Sequence, residues 1–96
     1  SNGNLILFEI ITTLKFKKQR KKLKQDDKDL VDNVVFILAN NQILDKKYKD
    51  HQLKGNLKEF RECHVKPDLL LIYKKENNIL VFTCIAVGSH SDLFKK

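Results

Sequence analysis

The sequence has no methionine and no tryptophan, one proline, three glycines and two cysteines among its 96 residues. Two cysteines are too few for the disulfide framework that staples small secreted domains. Cys63 and Cys84 also lack Cys-x-x-Cys spacing, so a reducing cytoplasm is the expected setting, with a single Cys63–Cys84 bridge left open by the sequence. Long apolar runs are missing as well. Leu69 to Tyr73 and Ile79 to Val87 fall well below the roughly 18 residues that read as a membrane span, so no membrane-spanning segment is expected. No secretory signal, internal repeat or low-complexity segment is visible. The start at Ser1-Asn2 without a methionine reads as the remnant of a cleaved expression tag, which sets residues 1–3 aside from fold reasoning.

Acidic residues are the scarcer charge, twelve Asp and Glu against nineteen Lys and Arg, for a formal net charge of +7. An excess of that size on a chain long enough for one domain, residues 1–96, favours a polyanionic partner: nucleic acid, an acidic protein or an anionic surface.

The run Leu5 to Leu14 is rich in Ile, Thr and Phe and predicts a first strand. Lys15 to Lys24 consists of good helix formers with only Phe16 and Leu23 as an apolar stripe, which predicts a surface helix with a cationic face. Asp26 and Asp27 suit the start of a second helix, where Leu30, Val31, Val34, Val35, Ile37 and Leu38 recur at helical spacing before Asn40-Asn41 ends it. Ile43 to Leu57 reads as an irregular connection, and connections of that length are often functional. Lys58 to Val65 reads as a strand with Phe60, Glu62 and His64 on one side and Arg61, Cys63 and Val65 on the other. Pro67 marks the next turn. Asp68 to Lys75 and Ile79 to Val87, joined through Glu76-Asn77-Asn78, read as a hairpin in the middle of the sheet. Ser89 is placed to cap a short turn through Phe94. The expected fold is α+β, a β-α-α-β-β-β antiparallel sheet with a two-helix hairpin packed on one face.

All three histidines lie in two segments, Tyr48 to Asp68 and Gly88 to Phe94. His51 follows Asp50, His64 precedes Asp68 by four residues, and His90 precedes Asp92 by two. Imidazole titrates nearest neutrality, which suits it to moving protons. Lys54, Arg61 and Lys66 lie nearby as cations of the kind that hold phosphate. A ribonuclease that needs no metal uses the ribose 2′-hydroxyl as its nucleophile. The protein then supplies a base, an acid for the departing 5′-oxygen, and charge for the transition state. The turn at Pro67 is expected to bring His64 and Asp68 to one rim of the sheet, and His90 reaches the same rim if the last two strands are antiparallel. Cys63 is assigned to packing, Tyr73 and Phe82 to the core, and Phe94 to stacking on a base. A three-histidine zinc site is disfavoured by the scattered ligands, so no metal and no cofactor is expected.

DHxLKGxxKxFRECHxKPDLLLIY, followed by Gly-Ser-His-Ser-Asp-Leu-Phe, resembles the YafQ branch of the RelE/ParE toxin superfamily. The resemblance spans the chain from Tyr48 onward and implies a compact microbial-ribonuclease-like α+β fold. It implies a toxin that cleaves mRNA in the ribosomal A site and is neutralised by a cognate acidic antitoxin. It places the catalytic set on His51, His64, Asp68, His90 and Phe94. Two departures stand out. Ala86 occupies a position where relatives commonly carry arginine, and Gln52 one where proline is usual. A gyrase-directed toxin of the same superfamily would lack this histidine set. A basic RNA- or antitoxin-binding module without chemistry remains the alternative.

Overall fold

A computed structural model of the protein describes residues 7–94, and over that span the apolar runs of the second half form the middle of a five-stranded sheet. Its elements are strand β1 (Glu9–Thr12), helices α1 (Leu14–Lys21) and α2 (Gln25–Ala39), strands β2 (His51–Gln52), β3 (Arg61–Lys66), β4 (Leu69–Glu76) and β5 (Val81–Gly88), and a one-turn helix α3 (His90–Leu93). The strand order is β1-β5-β4-β3-β2. Strands β3, β4 and β5 form an antiparallel meander, as their short turns require.

The alternation along β3 and β4 assigns each residue to a face. Cys63, Val65, Leu69, Leu71 and Tyr73 join Phe16, Val31, Val34, Val35 and Leu38 in one buried cluster under the helices. The Tyr73 and Phe82 rings stack there with centroids 4.9 Å apart. Leu70, Ile72 and Ala86 are also buried but stand outside that cluster, on the opposite face. This is why β4 is apolar on both sides.

A bulge makes β5 change faces. Ile72 pairs with Ala86 while Tyr73 pairs with Cys84, which leaves Ile85 as the extra residue. Thr13 pins this bulge: its hydroxyl donates to the Ile85 carbonyl at 2.8 Å and accepts from the Phe16 amide at 3.0 Å as the N-cap of α1. Helix α1 then lies along β5 beyond the end of β1, where the Gln19 side-chain carbonyl accepts from the Val87 amide at 2.9 Å. An otherwise orphaned edge donor is thus satisfied.

The α+β class stands, with several corrections. β1 is shorter than the expected Leu5 to Leu14, of which Leu5 and Ile6 lie outside the described residues, and it runs parallel to β5, so the sheet is mixed. Parallel pairing follows because two helices and most of the sheet separate β1 from β5 in sequence. The helix hairpin turns on Lys22 to Lys24 rather than on acidic residues, and Asp26 and Asp27 sit in the first turn of α2 with Lys24 at the cap position. There they still complement the positive end of the helix dipole. The connection taken as irregular contains β2, flanked by one-turn helices at Lys46–Tyr48 and Gly55–Leu57. The β4–β5 turn extends through Leu80, which adopts φ 56, so Ile79 and Leu80 are exposed rather than in a strand. Cys63 and Cys84 are free and buried. Among the described residues no helix is long and apolar enough to cross a membrane.

Candidate active site

On the face away from the helices, two rows of cross-strand partners carry the candidate residues. One row runs His51, Glu62, Ile72, Ala86 across β2, β3, β4 and β5. The next runs His64, Leu70, Gly88. Neighbouring strands lie about 4.8 Å apart, so His64 stands roughly 10 Å from Gly88, across a floor of Leu70. Ser89 follows Gly88 and caps α3 by accepting from the Asp92 amide at 3.2 Å, which lifts His90 from the end of β5. The His90 and Phe94 rings face each other with centroids 5.0 Å apart and tilted by 38°. Gly88 lies close under this turn: an added Cβ would sit 3.4 Å from Asp92 Cβ and 3.5 Å from a Leu93 methyl. Asp68 is exposed in the two-residue turn between β3 and β4. His64 Nδ1 lies 3.4 Å from the Pro67 carbonyl of the same turn, which favours a proton on Nδ1 and leaves Nε2 free.

His51 is held on both ring nitrogens. Nδ1 lies 2.7 Å from the Lys49 carbonyl, and Nε2 lies 3.3 Å from Glu62 Oε1. A carbonyl only accepts, so Nδ1 carries a proton. Nε2 faces a carboxylate and has a second acceptor to satisfy. Glu62 is 6% exposed and is the one charged residue in the buried set among the described residues.

Strand register thus sets His51 and His64 on the face away from the helices, while Asp68 in the β3–β4 turn and His90 and Phe94 just beyond β5 lie at the end of the sheet where His64 stands. Among the described residues no hydrogen bond joins any two of His51, His64, Asp68 and His90. The three cations do not all join them. Arg61 is on the helix face, where its guanidinium donates to Asp50 at 3.1 Å and to the Tyr73 hydroxyl at 3.3 Å. The period-two alternation that puts His64 outward puts Arg61 inward, which corrects its assignment as a phosphate ligand beside the histidines. The Lys66 ammonium is 2.8 Å from Asp27 of α2, an ion pair that ties the β3–β4 turn to the helix layer, and Lys66 lines one cavity with His64, Lys47 and Lys49. Lys54 is exposed in the loop after β2.

Glu62 is the residue that the search for histidines and cations passed over. A carboxylate two residues before His64 on the same strand face was the available signal. Ala86 occupies the floor beside Ile72 in the Glu62 row, so a methyl stands at that point of the site. Among the described residues no group of three His, Cys, Asp or Glu side chains converges as a metal site.

Residues 8–95 match the model of a family described as the bacterial toxin of type II toxin-antitoxin system, YafQ. The mRNA interferase toxin YafQ of Escherichia coli K12 is 38% identical over 72 residues, 74% of this chain and 76% of that protein. The toxin in the E. coli DinJ–YafQ toxin–antitoxin complex is similar with a TM-score of 0.80 at 32% identity, over 93% of this chain and 99% of that one. A metal-bound toxin from Helicobacter pylori is similar with a TM-score of 0.78 at 43% identity, over 91% of this chain and 99% of that one.

Proposed function

Because the chain belongs to the YafQ family of toxins of bacterial type II toxin–antitoxin systems, we propose that it is an mRNA interferase. In this reading it cleaves mRNA in the ribosomal A site by acid–base catalysis without a metal, acts in the cytoplasm, and is silenced by a cognate acidic antitoxin. The E. coli relative carries the interferase name, and a similar toxin has been crystallised with the antitoxin DinJ.

The observation that supports the proposal is the strand register that sets His51 and His64 on the face of the buried Leu70, Ile72 and Ala86, with Asp68 and His90 following at the end of the sheet beside His64 and Gly88. The 2′-hydroxyl attacks the adjacent phosphorus, a base takes its proton, and an acid protonates the leaving 5′-oxygen, which yields a cyclic phosphate and a free 5′-hydroxyl. His64, with Nε2 unengaged, suits the base. His51, with acceptors at both nitrogens, suits the charge that gathers on the phosphorane-like transition state. His90 and Asp68 flank the same rim for proton transfer, and Phe94 beside His90 offers a ring on which a base can stack. The exposed lysines of α1, Lys15, Lys17, Lys18 and Lys21, present a cationic face to RNA or to an acidic antitoxin segment.

A second reading, a binding module with little or no chemistry, rests on Ala86, which puts a methyl in the floor where the family resemblance leads one to expect an arginine. The two are separated by induced expression and in vitro cleavage of ribosome-bound mRNA with His64→Ala, Asp68→Ala and His90→Ala, each checked for folding by circular dichroism. Loss of both cleavage and growth arrest supports the enzyme. Variants as toxic as the parent defeat it.

A further inference from the structure

Behind the histidine face, Asp50, Arg61 and Tyr73 close a three-membered network. The Tyr73 hydroxyl donates to Asp50 Oδ1 at 2.5 Å, Arg61 Nη2 donates to Asp50 Oδ2 at 3.1 Å, and Arg61 Nε donates to the Tyr73 hydroxyl at 3.3 Å. Tyr73 is 1% exposed, and its ring is fixed by the stack on Phe82. Burial, followed by the bond to Asp50, pushes its phenol well above the usual range, so it remains a donor. The network is therefore anchored in the rigid core.

Asp50 immediately precedes His51, and successive residues of an extended chain face opposite sides. After His51 the segment is held to the chain leading into β3, by Gln52 Nε2 donating to the Lys58 carbonyl at 2.7 Å and the Leu53 amide to the Phe60 carbonyl at 3.0 Å. Before it, Asp50 makes the core-side anchor. Strand β2 has two residues, and each has one cross-strand partner on β3. A two-residue ladder is too short to fix a side chain to within the fraction of an ångström that catalysis needs. Lys49, just before Asp50, adopts a left-handed conformation with φ 49 and ψ 43, and its carbonyl meets His51 Nδ1. A lysine held there is mildly strained and persists when its neighbours over-determine it. Asp50, clamped from the core side, supplies that constraint.

We propose that Asp50, Arg61 and Tyr73 act as a positioning device that fixes the imidazole of His51 through the backbone of residues 49–51. The chemical consequence rests on the reading of His51 as part of the cleavage site. Core packing sets Tyr73, Tyr73 and Arg61 set Asp50, and Asp50 sets the Lys49 carbonyl and the ring that bonds to it. Arg61, which the sequence places among phosphate ligands, acts in this account from the other side of the sheet.

The test uses Tyr73→Phe, Asp50→Asn and Asp50→Ala in the whole chain. Imidazole nitrogen resonances of His51 are recorded by NMR beside single-turnover cleavage of ribosome-bound mRNA. A merely structural network would lower Tm and leave the His51 ring signals of the folded protein unmoved. Positioning predicts that Tyr73→Phe, which keeps the ring stack, broadens or shifts the His51 Nδ1–H signal. It also predicts a fall in the maximal rate of about tenfold to a hundredfold with little change in half-saturating substrate. Asp50→Asn, which keeps an acceptor for Tyr73, should be milder than Asp50→Ala. If Asp50→Ala does not fold, Tyr73→Phe decides alone. His51 signals identical to the parent in folded Tyr73→Phe overturn the proposal. Parent-like cleavage by His51→Ala would instead overturn the role of His51 in the reaction, leaving the NMR result to judge the positioning.

Discussion

Replacement of Glu62 separates charge from packing at the site. Its Oε1 lies 3.3 Å from His51 Nε2. Two unit charges at that distance attract by about 1 kcal/mol in a medium as polar as water and about 5 kcal/mol at an effective dielectric of 20. The His51 side chain is 49% exposed and that of Glu62 8%, so solvent screens the pair from one side and an intermediate value of about 2 kcal/mol applies. If the imidazolium stabilises the transition state, Glu62→Gln, which keeps the shape and removes the charge, should slow cleavage by about 30-fold, since 1.4 kcal/mol is tenfold. Cleavage measured at two pH values shows whether the deficit tracks protonation of a group in the site. Stability should move the other way. A carboxylate beside Ile72 and Ala86 has lost most of its hydration, and a leucine of similar reach in its place is expected to be neutral or to add about 1 kcal/mol or more. For a domain of this size 1 kcal/mol corresponds to a rise in Tm of about 4–8 °C. The assay pairs single-turnover cleavage at pH 5.5 and 8 with thermal melts of Glu62→Gln and Glu62→Leu. Parent-like cleavage by both variants, or a Glu62→Leu protein that melts far below the parent, would refute the charge argument and leave Glu62 a structural residue.

Single-turnover cleavage by the parent should follow a bell-shaped pH profile, because base and acid must be in opposite protonation states; a flat profile would refute the division of labour. If no metal takes part, a phosphorothioate at the scissile linkage should slow cleavage without rescue by manganese or cadmium, and rescue by a thiophilic ion would overturn that mechanism. Burial pushes the thiols of Cys63 and Cys84 from 9.0 up to about 12. The unfolded chain therefore releases these protons first, and stability should fall as pH rises from about 9 towards 12 by up to roughly 1.4 kcal/mol per unit for each thiol. In alkaline denaturation each of Cys63→Val and Cys84→Val should lose its own thiol's share of that slope, leaving the shares of the other thiol and of the buried Tyr73 phenol, and an unchanged slope would contradict the burial argument. Ala86→Arg should raise cleavage by adding a titration-free cation to the floor, whereas an unchanged rate would show that this point does not face the scissile phosphate.

The positions of the candidate residues were more legible in the sequence than the elements that support them, for a definite reason. Strand runs and their turns are local signals, so the meander of β3, β4 and β5 followed from Pro67 and the Asn pair, and with it the common rim of His64, Asp68 and His90. His51 was found by its chemistry alone. Its two-residue strand exists only because β3 offers an edge, and no pattern of two residues is readable as a strand. Parallel pairing of β1 with β5 was likewise invisible, being a contact between the two ends of the chain. The position of Arg61 was legible. The alternation that sets Cys63 inward sets Arg61 inward too, but a nearby cation drew the assignment toward the phosphate. Electrostatic grouping by sequence distance fails on a strand, where adjacent residues stand on opposite faces of the sheet.

The sheet divides the labour between its two faces. On one, the helices bury a core that fixes Tyr73 and, through it, the edge strand. On the other, Leu70, Ile72 and Ala86 form an apolar floor under a rim of ionisable groups, and the poor solvation of that floor strengthens each charge interaction above it. With Ala86 in the floor, Arg61 engaged behind the sheet and Lys66 tied to Asp27, the histidine face lacks a fixed guanidinium. In the proposed reaction, positive charge at the phosphate then comes from protonated imidazole and from the lysines that line the cavity with His64, namely Lys47, Lys49 and Lys66. An arginine would hold its charge at any working pH. In the proposed reaction the contact of His51 Nε2 with Glu62 Oε1 at 3.3 Å orients that ring over the floor, and Glu62→Gln measures what the carboxylate charge adds to it.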